Sequence, residues 1–337
     1  MSQFSPHSSN TSQEKQEALA EALTKALFNA AKDDDGDMVR NLVRKGANPD
    51  RYSTDLGKHT SPLHETCLNG RTKAAVALLE CGANPDHYSY SFKLEGLRGA
   101  SPLHIAAFKG NLPLVCALLE ADANPHSANV PERIYNQTGG RTALHFAAIA
   151  GHADVVKRLL AHGLFPSTND AAQETPLHLA CKNGHVGCAA LLIEAGANPN
   201  ARNSTSNAPL HYACNNGDAI CASLLIQAGA NPNMQPAQNP RMQDHDGNSP
   251  LHLAAAALHE GKDSNGNTVQ ILVAGGADPI VFNRHGKRPE SHLAHPEEIR
   301  IFRKAVEEGL KLRKNLAEHK IREKTESLTL TPANLKT

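Results

Sequence analysis

The chain has 337 residues, with 34 Lys and Arg against 34 Asp and Glu, seven Cys, no Trp and 4% aromatics. Zero formal net charge gives no long-range field to gather nucleic acid or an anionic membrane. No apolar run reaches the roughly 18–20 residues of a membrane span.

The first sixteen residues, MSQFSPHSSNTSQEKQ, are polar and lack the apolar core of a secretory signal. Residues 1–20 are expected to be disordered, and 21–295 to form one repeat domain. The stretch 27–39, LFNAAKDDDGDMV, leads to Gly46-Ala47-Asn48-Pro49 and reads as a first, solubilising repeat with a polar outer face. Its DDDGD run sits where two helices turn, and it lacks the spaced carboxylates and closing Glu of a calcium loop.

From residue 61 a tetrapeptide recurs: Ser61-Pro62-Leu63-His64, Ser101-Pro102-Leu103-His104, Thr142-Ala143-Leu144-His145, Thr175-Pro176-Leu177-His178, Ala208-Pro209-Leu210-His211 and Ser249-Pro250-Leu251-His252. Successive histidines lie 40, 41, 33, 33 and 41 residues apart. Gly82, Gly163, Gly196 and Gly229 each follow their histidine by 18, and Asp122 stands at that place in its own copy. Each unit has a physical reading. Thr175 suits a helix N-cap and Pro176 the first helical position. Leu177, Ala180 and Cys181 form a narrow apolar stripe, which Asn183-Gly184 ends. A second helix with Leu191, Leu192 and Ile193 stops at Gly196. Helices this short cannot hide their apolar faces alone, so neighbouring units must stack.

The three long spacings come from about seven or eight extra residues in each of the loops 86–98, 127–140 and 234–246. A further insertion, at 258–267, lies inside the seventh repeat, where His252 to Gly276 is 24 residues rather than 18. Such insertions either mark a recognition face or reflect drift in tolerant loops. Tyr88, Tyr90, Phe92 and Tyr135 are the candidate binding anchors there. Gly286–Leu293 reads as a degenerate eighth first helix. Residues 296–325 form an amphipathic pattern with Ile299, Phe302, Val306 and Leu310 on one side, continuing to Leu316. Its first half is expected to cap the stack and its second half to project. Glu307, Glu308, Glu318 and Glu323 dilute its basic character, so it reads as a solvated face. Residues 326–337 are expected to be a disordered tail.

The TPLHxA signature, the 33-residue period and the GA(N/D)P ending resemble the ankyrin-repeat family over about residues 27–293. The resemblance implies an all-α ankyrin-repeat solenoid: stacked helix–turn–helix units with projecting hairpin-like loops, about seven repeats and a C-terminal capping helix. It implies that each TPLH histidine bridges backbone and hydroxyl groups at the base of the stack. It also implies a protein partner on the concave face. Mapped residue by residue, that face takes Leu68, Asn69, Phe108, Lys109, Arg141, Ile149, Glu174, Lys182, Asn183, Asn207, Asn215, Asn216, His245, Asp246 and Asn248. Lys182-Asn183 and Asn215-Asn216 are its centre.

His178, Cys181 and His185 invite a zinc or nucleophile reading, since i, i+3 and i+7 share a helix face. The equivalent triples are His64/Cys67/Arg71, His104/Ala107/Asn111, His145/Ala148/His152 and His211/Cys214/Asp218. Only the first member persists, whereas a metal or catalytic set needs all its members in one place. Scattered cysteines without CxxC pairs point to reduced thiols in a cytoplasm or nucleus. No nucleophile elbow, phosphate loop or zinc-protease motif is present. The expectation is a monomeric, non-catalytic module with no cofactor, no metal, no nucleic acid and no membrane partner. A bacterial effector acting in a host cytosol and a ubiquitin-ligase substrate adaptor are the finer alternatives, although nothing after Leu293 resembles a SOCS box. An enzyme would have to use the odd insertion, around His259 and Asp263.

Overall fold

The computed structural model describes residues 7–53, 60–89, 97, 99–129, 139–235 and 246–329. Among them all regular elements are helical, and the chain divides into two compact units, 1–176 and 177–337. The first unit holds four helix pairs: α1 (His7–Lys32) with α2 (Gly36–Arg44), α3 (Pro62–Asn69) with α4 (Thr72–Glu80), α5 (Pro102–Lys109) with α6 (Leu112–Glu120), and α7 (Ala143–Ala150) with α8 (Ala153–Ala161). The second runs from α9 (Pro176–Lys182), within which the division falls. It continues through α10 (Val186–Glu194), α11 (Pro209–Asn215), α12 (Ala219–Gln227), α13 (Pro250–His259) and α14 (Asn267–Ala274). A 3-10 turn at Pro289–His292 and α15 (Pro296–Thr329) complete it.

The repeat's local chemistry sets these elements. Proline sits in the first turn of α3, α5, α11 and α13, where its missing N–H costs nothing. Asn111 and Asp218 cap second helices, accepting from Leu114 N at 3.1 Å and Cys221 N at 3.0 Å. Packing is Ala and Leu throughout. Ala74, Ala75, Leu78, Leu103, Leu118 and Leu144 are buried in the first unit, and Ala189, Leu192, Leu225 and Leu251 in the second. Each fully buried Leu contributes roughly 2 kcal/mol.

Between pairs the chain forms fingers stitched by a carboxylate or amide at the fourth residue after the helix-ending glycine. Asp50 Oδ1 accepts Asn84 N at 2.8 Å, and Asp86 Oδ1 accepts Asn124 N at 2.9 Å. In the second unit, Asn200 Oδ1 accepts Asn231 N and Asn233 Oδ1 accepts Asp278 N, both at 2.8 Å. A short side chain is needed because it must reach a backbone N–H one finger away.

Three elements differ from the sequence reading. Helix α1 takes in residues from His7 onward that were expected to be disordered, since the Ala-, Glu- and Lys-rich run 14–32 propagates a helix well. The degenerate eighth helix is a single 3-10 turn, its N-cap position held by Arg288 rather than Ser or Thr. The insertion at 258–267 is fixed: Asp263 is buried and accepts Asn267 N at 3.1 Å and Thr268 N at 2.7 Å, which caps α14. Gly217 opposite must lack a side chain, because a Cβ there would stand 3.0 Å from Lys262 C and 3.1 Å from Asp263 Cβ. Helix α15 packs on α14 through buried Phe302 and Ala305 and through Gly309, whose absent Cβ would lie 2.7 Å from Gln270 O. Beyond it Leu312, Leu316 and Ile321 are exposed, as are Leu310 and the charged residues around them.

Candidate partner-binding surface

Two rows of side chains line each repeat, and they have opposite characters. The first is the histidine row. Backbone N–H groups of Ser61, Ser101, Thr142 and Ser249 donate to Nδ1 of the histidine three residues on, at 3.0 to 3.3 Å. The hydroxyls of the same residues lie 2.7 to 3.0 Å from that nitrogen. Nδ1 therefore accepts, and Nε2 carries the proton. Nε2 faces a carbonyl of the next finger: His64 to Ala100 O at 3.3 Å, His104 to Ser127 O at 3.0 Å and His145 to Glu174 O at 3.1 Å. In the second unit, His178 reaches Asn207 O at 3.1 Å and His252 reaches Lys287 O at 3.0 Å. Burial pushes His64, His104, His145 and His211 down to about 4, so these rings are neutral. Cys67, Cys181, Cys214 and Cys221 are buried free thiols. Burial pushes Cys67 up to about 12. The hydrogen bond with Cys221 Sγ at 3.4 Å, then burial, raises Cys181. Such thiols pack rather than react. His185 of the TPLHLACKNGH face stands half-buried at the start of α10, not beside a ligand set. Among the described residues no three His, Cys, Asp or Glu side chains are placed to hold a metal ion. Two aspartates of the DDDGD run cap helices: Asp35 accepts Met38 N, and Asp34 accepts Ala74 N of the next repeat, both at 2.9 Å.

The second row lies at the ends of the first helices and at the finger residues before them. In the second unit, Lys182 and Asn183 are exposed, and Lys182 Nζ lies 5.4 Å from the centre of the Tyr212 ring. Tyr212 is half-buried, and its hydroxyl accepts Asn203 Nδ2 at 2.9 Å. Asn215 is exposed, its carbonyl taken by Lys262 Nζ at 3.2 Å. Asn216 points back, donating to Lys182 O at 2.9 Å and Cys181 O at 3.1 Å, so it serves the stack. Asn207 and Asn248 are half-buried finger residues, while Asp246 is exposed and pairs with His285 at 3.0 Å.

In the first unit, Asn69 and Lys109 are exposed, and Leu68, Tyr88, Phe108 and Ile149 are half-buried. Phe108 packs edge-on to buried Phe146 at 6.4 Å. Arg141 and Glu174 are structural. Arg141 Nε meets buried Asp170 Oδ2 at 3.0 Å, and Glu174 is buried, donating its N–H to Asp170 Oδ1 at 2.9 Å. Tyr90, Phe92, Tyr135 and His245 lie outside the described residues. Sequence reasoning missed Tyr212. The signal was the residue after each TPLH histidine, which runs Glu65, Ile105, Phe146, Leu179, Tyr212, Leu253 and alone turns to an aromatic alcohol at 212.

The histidine, carbonyl and finger geometry repeats at the period of the sequence motif. A family profile described as ankyrin repeats matches three times, at residues 27–129, 128–203 and 198–283. The chain belongs to the ankyrin-repeat family. The solved structure of the human ASB11 ankyrin repeat domain is similar to it. That structure is 27% identical, covers 75% of this chain and 98% of its own, and has a TM-score of 0.57. No curated protein matches. The ankyrin-repeat architecture makes this chain a protein–protein interaction module, and among its described residues no helix is long and apolar enough to cross a membrane.

Proposed function

We propose that this ankyrin-repeat chain captures a protein segment on the face built from its first helices and fingers, with Lys182, Asn183, Tyr212 and Asn215 as the central contacts. The observation that carries this is the division of labour in the second unit. The stack uses His178, Asn216 and the buried thiols, and leaves a cation held over an aromatic ring, flanked by exposed amides. A lysine on a tyrosine face with nearby amides suits a polar, wet interface in which the tyrosine supplies contact area and the lysine pairs with an acceptor. The action is binding rather than turnover.

Affinity capture with mass spectrometry tests it, comparing the wild-type chain with Lys182→Ala/Asn183→Ala/Tyr212→Phe/Asn215→Ala. Captured proteins should fall at least tenfold in the variant. Equal recovery of the same proteins at unchanged melting temperature would remove these residues from the interface.

A further inference from the structure

The last finger, 277–288, presents exposed apolar and basic side chains together. Its inner side is fixed to the preceding finger by Asn233 Nδ2 donating to Gly276 O at 2.9 Å, Gln235 Nε2 to Phe282 O at 2.8 Å, and Asn283 Nδ2 to Asn248 Oδ1 at 2.9 Å. Earlier fingers place Asp50, Asp86, Asn200 and Asn233 where a neighbour's N–H must be accepted. The equivalent residue here is Ile280, which has nothing to accept with. Helix α15 covers α14 through Phe302, Ala305 and Gly309, yet it leaves Ile280 60% and Phe282 53% exposed. These are two large apolar side chains on a loop hydrogen-bonded to its neighbour, and the stack leaves them largely exposed.

The finger is net basic, with Arg284, Lys287 and Arg288 against the one acid Asp278. Lys287 and Arg288 are exposed, and Arg288 Cζ lies 5.0 Å from the Phe282 ring centre. The nearby carboxylates are engaged in hydrogen bonds, and Glu290 is matched by a permanent cation. Asp246 pairs with His285 at 3.0 Å, Asp278 accepts Ile280 N at 3.0 Å, and Glu290 pairs with Arg303 at 2.6 Å. We propose that this finger docks an acidic peptide segment of a partner protein, an apolar side chain of that segment seating on Ile280 and Phe282 while its carboxylates pair with Lys287 and Arg288. The guanidinium stacked on Phe282 is held ready for a bidentate carboxylate, which limits the side-chain entropy lost on binding. This inference rests on the reading of the chain as a protein-binding module and adds the chemistry of one partner segment.

The test is selection from a random dodecapeptide phage library on the immobilised full chain. Recovered peptides should be enriched in Asp and Glu around an apolar residue. Their affinity should fall at least tenfold on Lys287→Glu/Arg288→Glu and on Ile280→Ser/Phe282→Ser, with melting temperatures unchanged because all four residues are surface residues. Rising salt should weaken wild-type binding and not the residual binding of the charge-reversed variant. No enrichment, or peptides without acidic bias, would overturn the proposal, as would affinities equal on wild type and both variants. Peptides lost only on Lys182→Ala/Asn183→Ala would overturn it while leaving the first-helix surface standing. Dimerisation in sedimentation that the finger variants abolish would assign the surface to a second copy and also overturn it.

Discussion

The histidine row and the row at the helix ends sit a few residues apart in the same short helices, and they obey opposite rules. His145 is fully buried, bonded on both ring nitrogens and identical in kind to His64 or His104. Lys182, one helical turn along from its own repeat histidine, is exposed, and the residue at its place differs from copy to copy. Repetition marks what the stack requires, because five of the six histidines make the same bond to the next finger. Variation marks positions the stack leaves to another use.

Acid should break the histidine row most severely. Burial holds His64, His104, His145 and His211 at about 4, below the roughly 6.5 of an unfolded chain. Between those values the unfolded state binds more protons, so stability is full above pH ~6.5 and falls as pH drops toward 4. Each ring contributes on the order of 3 kcal/mol of this loss. Urea midpoints measured from pH 7.5 to 4.5 should fall steeply, and a flat profile would show that the rings are not held neutral.

A single His145→Ala substitution should cost about 3 kcal/mol, since it leaves the Glu174 carbonyl and the Thr142 N–H without their partner and opens a cavity. Equilibrium denaturation reads this directly. At the edge of the first unit, Asp34→Ala removes the acceptor of Ala74 N and places Ala at a φ of +59°, for a loss of about 1–2 kcal/mol in the same assay. Lys182→Ala with Asn183→Ala should change stability by less than about 0.5 kcal/mol, as exposed residues whose backbone the stack already holds. A larger loss at Lys182 would merge the two rows and weaken the argument for a dedicated binding surface.

Much of this was legible in the sequence because a repeat states its requirements several times over. Six copies of a Ser/Thr-Pro-Leu-His-like element fix the helix starts and the stacking seam. What a single copy contains was less legible. Asn216 and Glu174 look like surface residues by register. Contacts distant in sequence decide otherwise: Asn216 reaches back to Cys181 and Lys182, and the Glu174 carbonyl meets His145 Nε2. Asp263 looked like a candidate acid in an odd insertion, and its carboxylate is engaged in starting α14. Tyr212 is hard to single out because the position after the histidine is apolar in most copies, and only the fold shows Lys182 lying across its ring.

Hydrogen exchange of the chain alone and bound to its captured partner tests the central claim most directly. The account predicts slowed exchange at the ends of α9 and α11 and in the fingers, with the outer helices α10 and α12 unchanged. Protection confined to α10 and α12, with the Lys182–Asn216 region exchanging as in the free chain, would contradict it.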